Sequence, residues 1–97
     1  MKPLRIHEEA RREANLATVR YAERSIPVSR RFRDELLWAF SRAASSPGRY
    51  PSYLHGTRRV LLKKFPYFVV FFDWQDEVFV VAVAHAKRRP GYWSKRI

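Results

Sequence analysis

The sequence contains no cysteine, which excludes disulfide bonds and thiolate metal sites. Its three glycines form no glycine-rich phosphate-binding loop, and its three histidines lie too far apart for a local metal motif. The longest apolar run, Val78 to Ala84, is much shorter than a membrane-spanning helix. The first residues lack the apolar segment of a signal peptide. We therefore expect a cytoplasmic protein that uses no metal and no cofactor and does not contact a membrane.

The length of 97 residues leaves room for one hydrophobic core. A chain of this size buries roughly 65% of the surface that its unfolded form exposes, which is enough for a modest core. We expect residues 1–97 to form a single domain.

Acidic residues are missing from two long stretches of a chain whose net charge is +11. None occurs from Leu36 to Phe72, and none follows Glu77, although both stretches are rich in lysine and arginine. A field of one sign over part of a small protein favours a polyanion or an acidic protein as partner.

The first half of the chain predicts a short strand and two helices. Leu4 to His7 alternate as in a strand, and small or aromatic residues then recur from Ala10 to Tyr21 at spacings of three and four. Pro27 interrupts this pattern, and a second helical set runs from Val28 to Ala43. The two helices are expected to form a hairpin.

The second half predicts three strands. Runs rich in Val, Phe and Leu lie between Arg58 and His85 and are separated by Pro66 and by the polar segment from Asp73 to Glu77. The predicted fold is therefore α+β, a helical hairpin packed on a small antiparallel sheet in the order β-α-α-β-β-β.

Both faces of the predicted sheet are apolar, which two helices cannot cover alone. In the middle run, Tyr67, Val69 and Phe71 point one way, and Phe68, Val70 and Phe72 point the other way. The last run alternates likewise, with Val78, Val80 and Ala82 on one face and Phe79, Val81 and Val83 on the other. We expect one face to remain partly exposed until another chain covers it.

This order of elements, with a basic tail, resembles the toxin family of type II toxin–antitoxin systems typified by RelE and ParE. The resemblance covers nearly the whole chain and is most specific in RRVLLKKFPYFVVFF and VAVAHAKRRPGYWSKR. The phrase FPY between two apolar strands, followed by H-x-x-R-x-P-x-YW, is similar to members known as plasmid stabilisation proteins. The resemblance implies a small basic toxin that is neutralised by a cognate acidic antitoxin. It also implies that operator DNA is contacted only through the antitoxin.

The family has two activities, and the resemblance leaves both open. RelE-like members cleave mRNA on the ribosome, whereas ParE-like members bind and block DNA gyrase without cleaving RNA. We take mRNA cleavage first, with gyrase inhibition as the alternative, so whether the chain is an enzyme stays undecided at this point.

RNA cleavage requires an acid–base group and cations around the phosphate. By the resemblance, His85 would be the acid–base group, Arg58 and Arg88 would hold the phosphate, and Tyr92 would contact the base. The candidate catalytic residues are Arg58, Lys63, His85, Arg88 and Tyr92. The candidates for binding RNA or another target are Arg59, Lys64, Arg89 and Trp93.

One departure from the family counts against cleavage. Many relatives carry a basic residue directly after the Tyr of FPY, where this chain has Phe68. For gyrase inhibition, the arginine-rich patch and Trp93 would serve as interface anchors. A third possibility is a basic nucleic-acid-binding module in which Phe68, Phe72, Trp74 and Phe79 stack on bases.

Overall fold

The computed structural model describes residues 1–97 and has the predicted order of elements. The helices are α1 (Glu8–Arg24) and α2 (Ile26–Ser45). The strands are β1 (Leu4–Ile6), β2 (Arg58–Leu61), β3 (Tyr67–Asp73) and β4 (Val78–His85). Three short 3₁₀ turns lie at Pro47–Arg49, Leu54–Gly56 and Ser94–Arg96. Neither helix combines the length and the apolar composition that crossing a bilayer requires.

The sheet has the spatial order β1-β4-β3-β2, which confirms the α+β fold and the meander. Strands β2, β3 and β4 pair antiparallel, as predicted. The short β1 pairs in parallel with the start of β4, with Leu4 opposite Val78, so the complete sheet is mixed.

Local signals fix the ends of the helical hairpin. The His7 side chain accepts a hydrogen bond from the Glu9 N–H at the start of α1. The Ser25 hydroxyl accepts one from the Val28 N–H at the start of α2, where Pro27 occupies the first turn. The predicted apolar stripes face the sheet, and Ala10 and Phe32 are fully buried.

A β-bulge changes the predicted alternation in β4. Val70 pairs with Ala82, but the next residue, Phe71, pairs with Val80, so Val81 is the extra residue. Beyond the bulge the side chains change faces. Val83 packs under the helices, and Ala82 lies on the opposite face, which is the reverse of the prediction for these two residues.

The chain itself covers most of the second face of the sheet, so the predicted exposed apolar face was wrong. The segment after β4 folds back, and Trp93 packs with Phe68 and Phe79, beside Tyr53 and Tyr92. A second core therefore forms on this face. Large exposed apolar side chains occur instead on the helices, among them Leu16, Val19 and Leu37.

Candidate functional site

One end of the molecule gathers cations from several elements. The turn between β2 and β3 meets the end of β4 there, because the Ala86 N–H donates to the Pro66 carbonyl at 2.8 Å. The last turns of α1 reach the same place, where Arg20 and Arg24 line a groove with Tyr67 and His85. We call this region the basic end, which comprises Arg20, Arg24, Lys63, Lys64, His85, Lys87, Arg88 and Arg89.

His85 is held in a defined orientation at the centre of the basic end. Its Nδ1 accepts a hydrogen bond from the Lys87 N–H at 3.0 Å. Its ring lies edge-on to the Tyr67 ring, with 4.9 Å between centroids. A neutral imidazole that accepts at Nδ1 carries its proton on Nε2, so Nε2–H is the group that His85 offers to a ligand.

A cavity of about 160 Å³ lies beside His85 on the face of the sheet opposite the helices. The Arg59 guanidinium lies over the rings of Tyr53 and Phe68, at 4.2 and 4.9 Å from their centroids. The Arg88 guanidinium lies 3.7 Å from the Tyr92 centroid. These rings attract and orient the two cations. The predicted site residues that line this cavity are Arg59, His85, Arg88, Arg89, Tyr92 and Trp93.

The Tyr92 hydroxyl forms a hydrogen bond within the protein. The hydroxyl donates to Glu13 Oε2 at 2.6 Å, and both Arg96 terminal nitrogens donate to the same carboxylate at 2.9 Å. Burial, followed by the hydrogen bond to Glu13, raises the pKa of Tyr92 far above its ordinary value. Tyr92 therefore stays protonated and is a poor proton acceptor for a substrate.

The Glu13 carboxylate connects α1, β4 and the tail. Besides Tyr92 and Arg96, it accepts a hydrogen bond from the Val83 N–H at 3.0 Å, and Arg88 lies 3.5 Å away. Strand β1 pairs only with Val78 to Val80, so Glu13 satisfies a donor on the part of the β4 edge that lacks a partner strand.

The other predicted site residues occupy different positions. Arg58 points to the helix side, where it donates to the Tyr50 carbonyl. It pairs with Phe71, whereas His85 pairs with Tyr67, which places them roughly 13 Å apart along β3.

Lys63 and Lys64 lie exposed in the turn after β2, at the basic end. The Glu35 carboxylate accepts hydrogen bonds from both of their backbone N–H groups, at 2.7 and 3.1 Å. The Lys63 ammonium lies 4.7 Å from the Trp38 centroid. Both lysine side chains are exposed and form no ion pair, so their charges are accessible to a partner.

Trp93 is only 1% exposed. A surface anchor has to be accessible, so the structure contradicts its expected role in binding a target. Stacking on bases also requires accessible rings, and Phe68 and Phe79 are buried in the second core. Trp74 is 40% exposed, but Phe72 and Phe79 stack against it.

Sequence reasoning did not select Glu13, Arg20, Tyr21, Arg24 or Tyr67 for the site. A signal existed for Glu13, since it lies three residues after Ala10 and four before Ala17, on the buried stripe of α1. No group of three or more His, Asp and Glu side chains comes together in a way that could hold a metal ion.

Comparisons with known proteins agree on the type of molecule. A family profile described as the ParE toxin of the type II toxin–antitoxin system parDE matches residues 4–90. The fold is similar to a solved structure from the chromosomal ParDE toxin–antitoxin system of P. aeruginosa, with a TM-score of 0.75 and 14% sequence identity. This similarity covers 90% of the present chain and 98% of the other. Curated protein sequences contain no significant match.

Proposed function

Because the chain belongs to the family of ParE toxins of type II toxin–antitoxin systems, we propose that it arrests growth by binding and blocking DNA gyrase, without cleaving RNA. In this proposal the basic end is a docking surface. Its cations meet a target of opposite charge, and no chemical bond of the target is broken.

The observation that carries this proposal is the hydrogen bond between Tyr92 and Glu13. In the expected nuclease, Tyr92 and Arg58 would act beside His85. Tyr92 instead donates to a carboxylate within the fold, and Arg58 lies roughly 13 Å from His85 along β3, where it donates to the Tyr50 carbonyl. These positions favour a binding protein over an enzyme that needs all three groups around one nucleotide.

Ribosome-dependent mRNA cleavage is the second candidate, which would make the protein an endoribonuclease. It is favoured by His85, Arg88 and Arg89, which line one cavity, with Lys63 and Lys64 at the same end of the sheet. His85 would then transfer the proton and the cations would stabilise the phosphorane.

We also propose a docking place for the acidic antitoxin, the partner that a type II system provides. A groove of about 210 Å³ runs between α1 and α2 and is lined by apolar side chains that include Leu36, Leu37 and Phe40. Arg11 and Arg33 line the same groove and make no ion pairs within the chain. An amphipathic acidic helix fits this combination, and operator DNA would then be reached through the antitoxin.

Controlled expression in a bacterial cell without the antitoxin tests the mechanism. The 5′ ends of cellular mRNA and the topology of a reporter plasmid would be recorded in the same culture after induction. We expect growth arrest with intact mRNA and with relaxed or broken plasmid. Cuts at codon-registered positions that disappear in Arg88→Ala would support the nuclease and refute gyrase inhibition.

A further inference from the structure

The basic end holds a second groove, distinct from the cavity that Arg59 and Arg88 line. It is an open depression of about 400 Å³ between the end of α1 and the ends of β3 and β4. The side chains that line it are Arg20, Tyr21, Glu23, Arg24, Tyr67 and His85. We call it the Arg20–His85 groove.

Nearly every group in this groove is a hydrogen-bond donor. Arg20 and Arg24 lie one helical turn apart on α1, and no ion pair in the structure involves either guanidinium. His85 offers Nε2–H, because its Nδ1 already accepts from the Lys87 N–H. Glu23 is the single carboxylate, and it is exposed and forms no ion pair.

The two tyrosines add hydroxyl donors. Their rings lie 6.3 Å apart, and neither hydroxyl has a hydrogen-bond partner within the protein. A tyrosine hydroxyl is already protonated at neutral pH, and burial raises the pKa of Tyr21 and of Tyr67 further. The side chains of two arginines, two tyrosines and a histidine thus line one space, and this set of donors suits an oxyanion.

We propose that the Arg20–His85 groove binds a phosphate group of the double-stranded DNA backbone. Fifteen of the 20 lysine and arginine side chains form no ion pair, since only Lys2, Arg5, Arg12, Arg88 and Arg96 do so. Lys63, Lys64 and Lys87 at the same end would contact neighbouring phosphates. A duplex supplies closely spaced phosphates for such a surface.

The surroundings of the groove favour duplex DNA over single strands. Recognition of single strands relies on open aromatic faces on which bases stack. Here the Tyr21 and Tyr67 rings pack against Phe32 at 5.1 and 5.2 Å, which leaves the hydroxyls as the groups presented to a ligand. Contacts from these hydroxyls and cations to phosphate groups do not distinguish one base sequence from another. The proposal does not depend on gyrase being the target.

The test is fluorescence anisotropy of a short DNA duplex titrated with the purified protein at several salt concentrations. The double variant Arg20→Gln/Arg24→Gln should lower the slope of log affinity against log salt by about 0.9, since it removes the one phosphate contact that the groove makes. The control Arg49→Gln/Lys95→Gln removes the same charge from exposed residues outside the groove and should change the slope far less. Equal losses in both double variants would mean diffuse attraction and would overturn the proposal.

The variant Tyr67→Phe leaves the total charge unchanged, so a loss of affinity in this variant cannot be attributed to charge. It removes one hydroxyl and keeps the packed ring, so we expect about a fivefold loss of affinity for the duplex with an unchanged melting temperature. Wild-type affinity in this variant would contradict the proposal.

Two further binding measurements identify which kind of anion the groove binds. Inorganic phosphate that shifts the His85 NMR signals while the duplex does not bind would assign the groove to a free phosphate. A poly-glutamate peptide that binds more tightly than the duplex, with the same loss in Arg20→Gln/Arg24→Gln, would assign it to an acidic protein. Either result would refute the DNA assignment.

Discussion

Replacing Glu13 by alanine should loosen the tail from the rest of the protein. The Glu13 carboxylate accepts hydrogen bonds from the Val83 N–H, the Tyr92 hydroxyl and both terminal nitrogens of Arg96. These contacts join α1, the open edge of β4 and the segment that covers the second core. No other carboxylate contacts any of these donors, so in the variant the Val83 N–H and the Tyr92 hydroxyl lose their partner, and Arg96 keeps only the Val81 carbonyl at 3.2 Å.

The loss in free energy of unfolding caused by Glu13→Ala can be worked out from the exposure of the Glu13–Arg96 ion pair. The side chains of Glu13 and Arg96 are 15% and 16% exposed, so the remaining guanidinium is only partly solvated. Removing one partner of a fully buried pair costs about 3–5 kcal/mol, and the residual exposure places this case near the lower limit, at about 3 kcal/mol. Glu13→Gln keeps an acceptor oxygen and should cost about 1–2 kcal/mol.

Urea unfolding followed by tryptophan fluorescence measures this loss, because Trp93 belongs to the tail and is buried in the second core. Glu8→Ala is the matched control. Its side chain is 84% exposed and lies 3.9 Å from Arg12, so we expect less than about 0.5 kcal/mol. If Glu13→Ala and Glu8→Ala unfold at the same urea concentration, the role assigned to the carboxylate is wrong.

Three further predictions concern the tail and the turns. Burial and the hydrogen bond to Glu13 raise the pKa of Tyr92 above its ordinary value of 10.0, so the folded protein keeps a proton that the unfolded chain releases. Stability should therefore fall as the pH rises above 10.0, and less steeply in Tyr92→Phe; equal slopes in urea titrations would contradict this. Gly91 has φ +80°, so Gly91→Ala should cost about 1 kcal/mol by thermal unfolding, whereas Gly48→Ala, with open space around it, should cost almost nothing. Trp93→Ala should cost about 3–5 kcal/mol in the same assay, against about 1–2 kcal/mol for Trp74→Ala, because Trp74 is 40% exposed and its ring stacks on Phe72 and Phe79; similar losses would refute the second core.

The order of elements could be predicted from the sequence because its signals are local. The stripes from Ala10 to Tyr21 and from Val28 to Ala43 have helical spacing, and Pro27 marks the break between them. The three strands of the second half could be predicted from composition, because these runs are rich in Val, Phe and Leu. The position of β1 in the sheet could not be predicted from local patterns, since its pairing with β4 joins segments more than 70 residues apart.

The two errors about the sheet have one physical origin, because both depend on contacts that local patterns do not encode. The extra residue Val81 reverses the faces of Ala82 and Val83, and an unbroken apolar run gives no sign of a bulge. The cover of the second face comes from Trp93 and Tyr53, which lie in segments without periodicity.

The candidate site was predictable in part. His85, Arg88 and Arg89 lie close together in the sequence, and they do line one cavity with Arg59. Arg58 was chosen with Arg59, although neighbouring residues of a strand point to opposite faces. Arg20 and Arg24 look like ordinary cations at the end of a helix, and only the tertiary structure brings them beside His85.

Titration of purified DNA gyrase with this protein tests the central proposal most directly. Supercoiling of a relaxed plasmid would be measured against the molar ratio of toxin to gyrase, with a ribosome-bound mRNA assayed in parallel. We predict inhibition that is complete near stoichiometric ratios, reversal by the antitoxin and intact mRNA. Undiminished supercoiling at excess toxin, together with mRNA cleaved at substoichiometric amounts, would contradict gyrase inhibition and identify a ribosome-dependent nuclease.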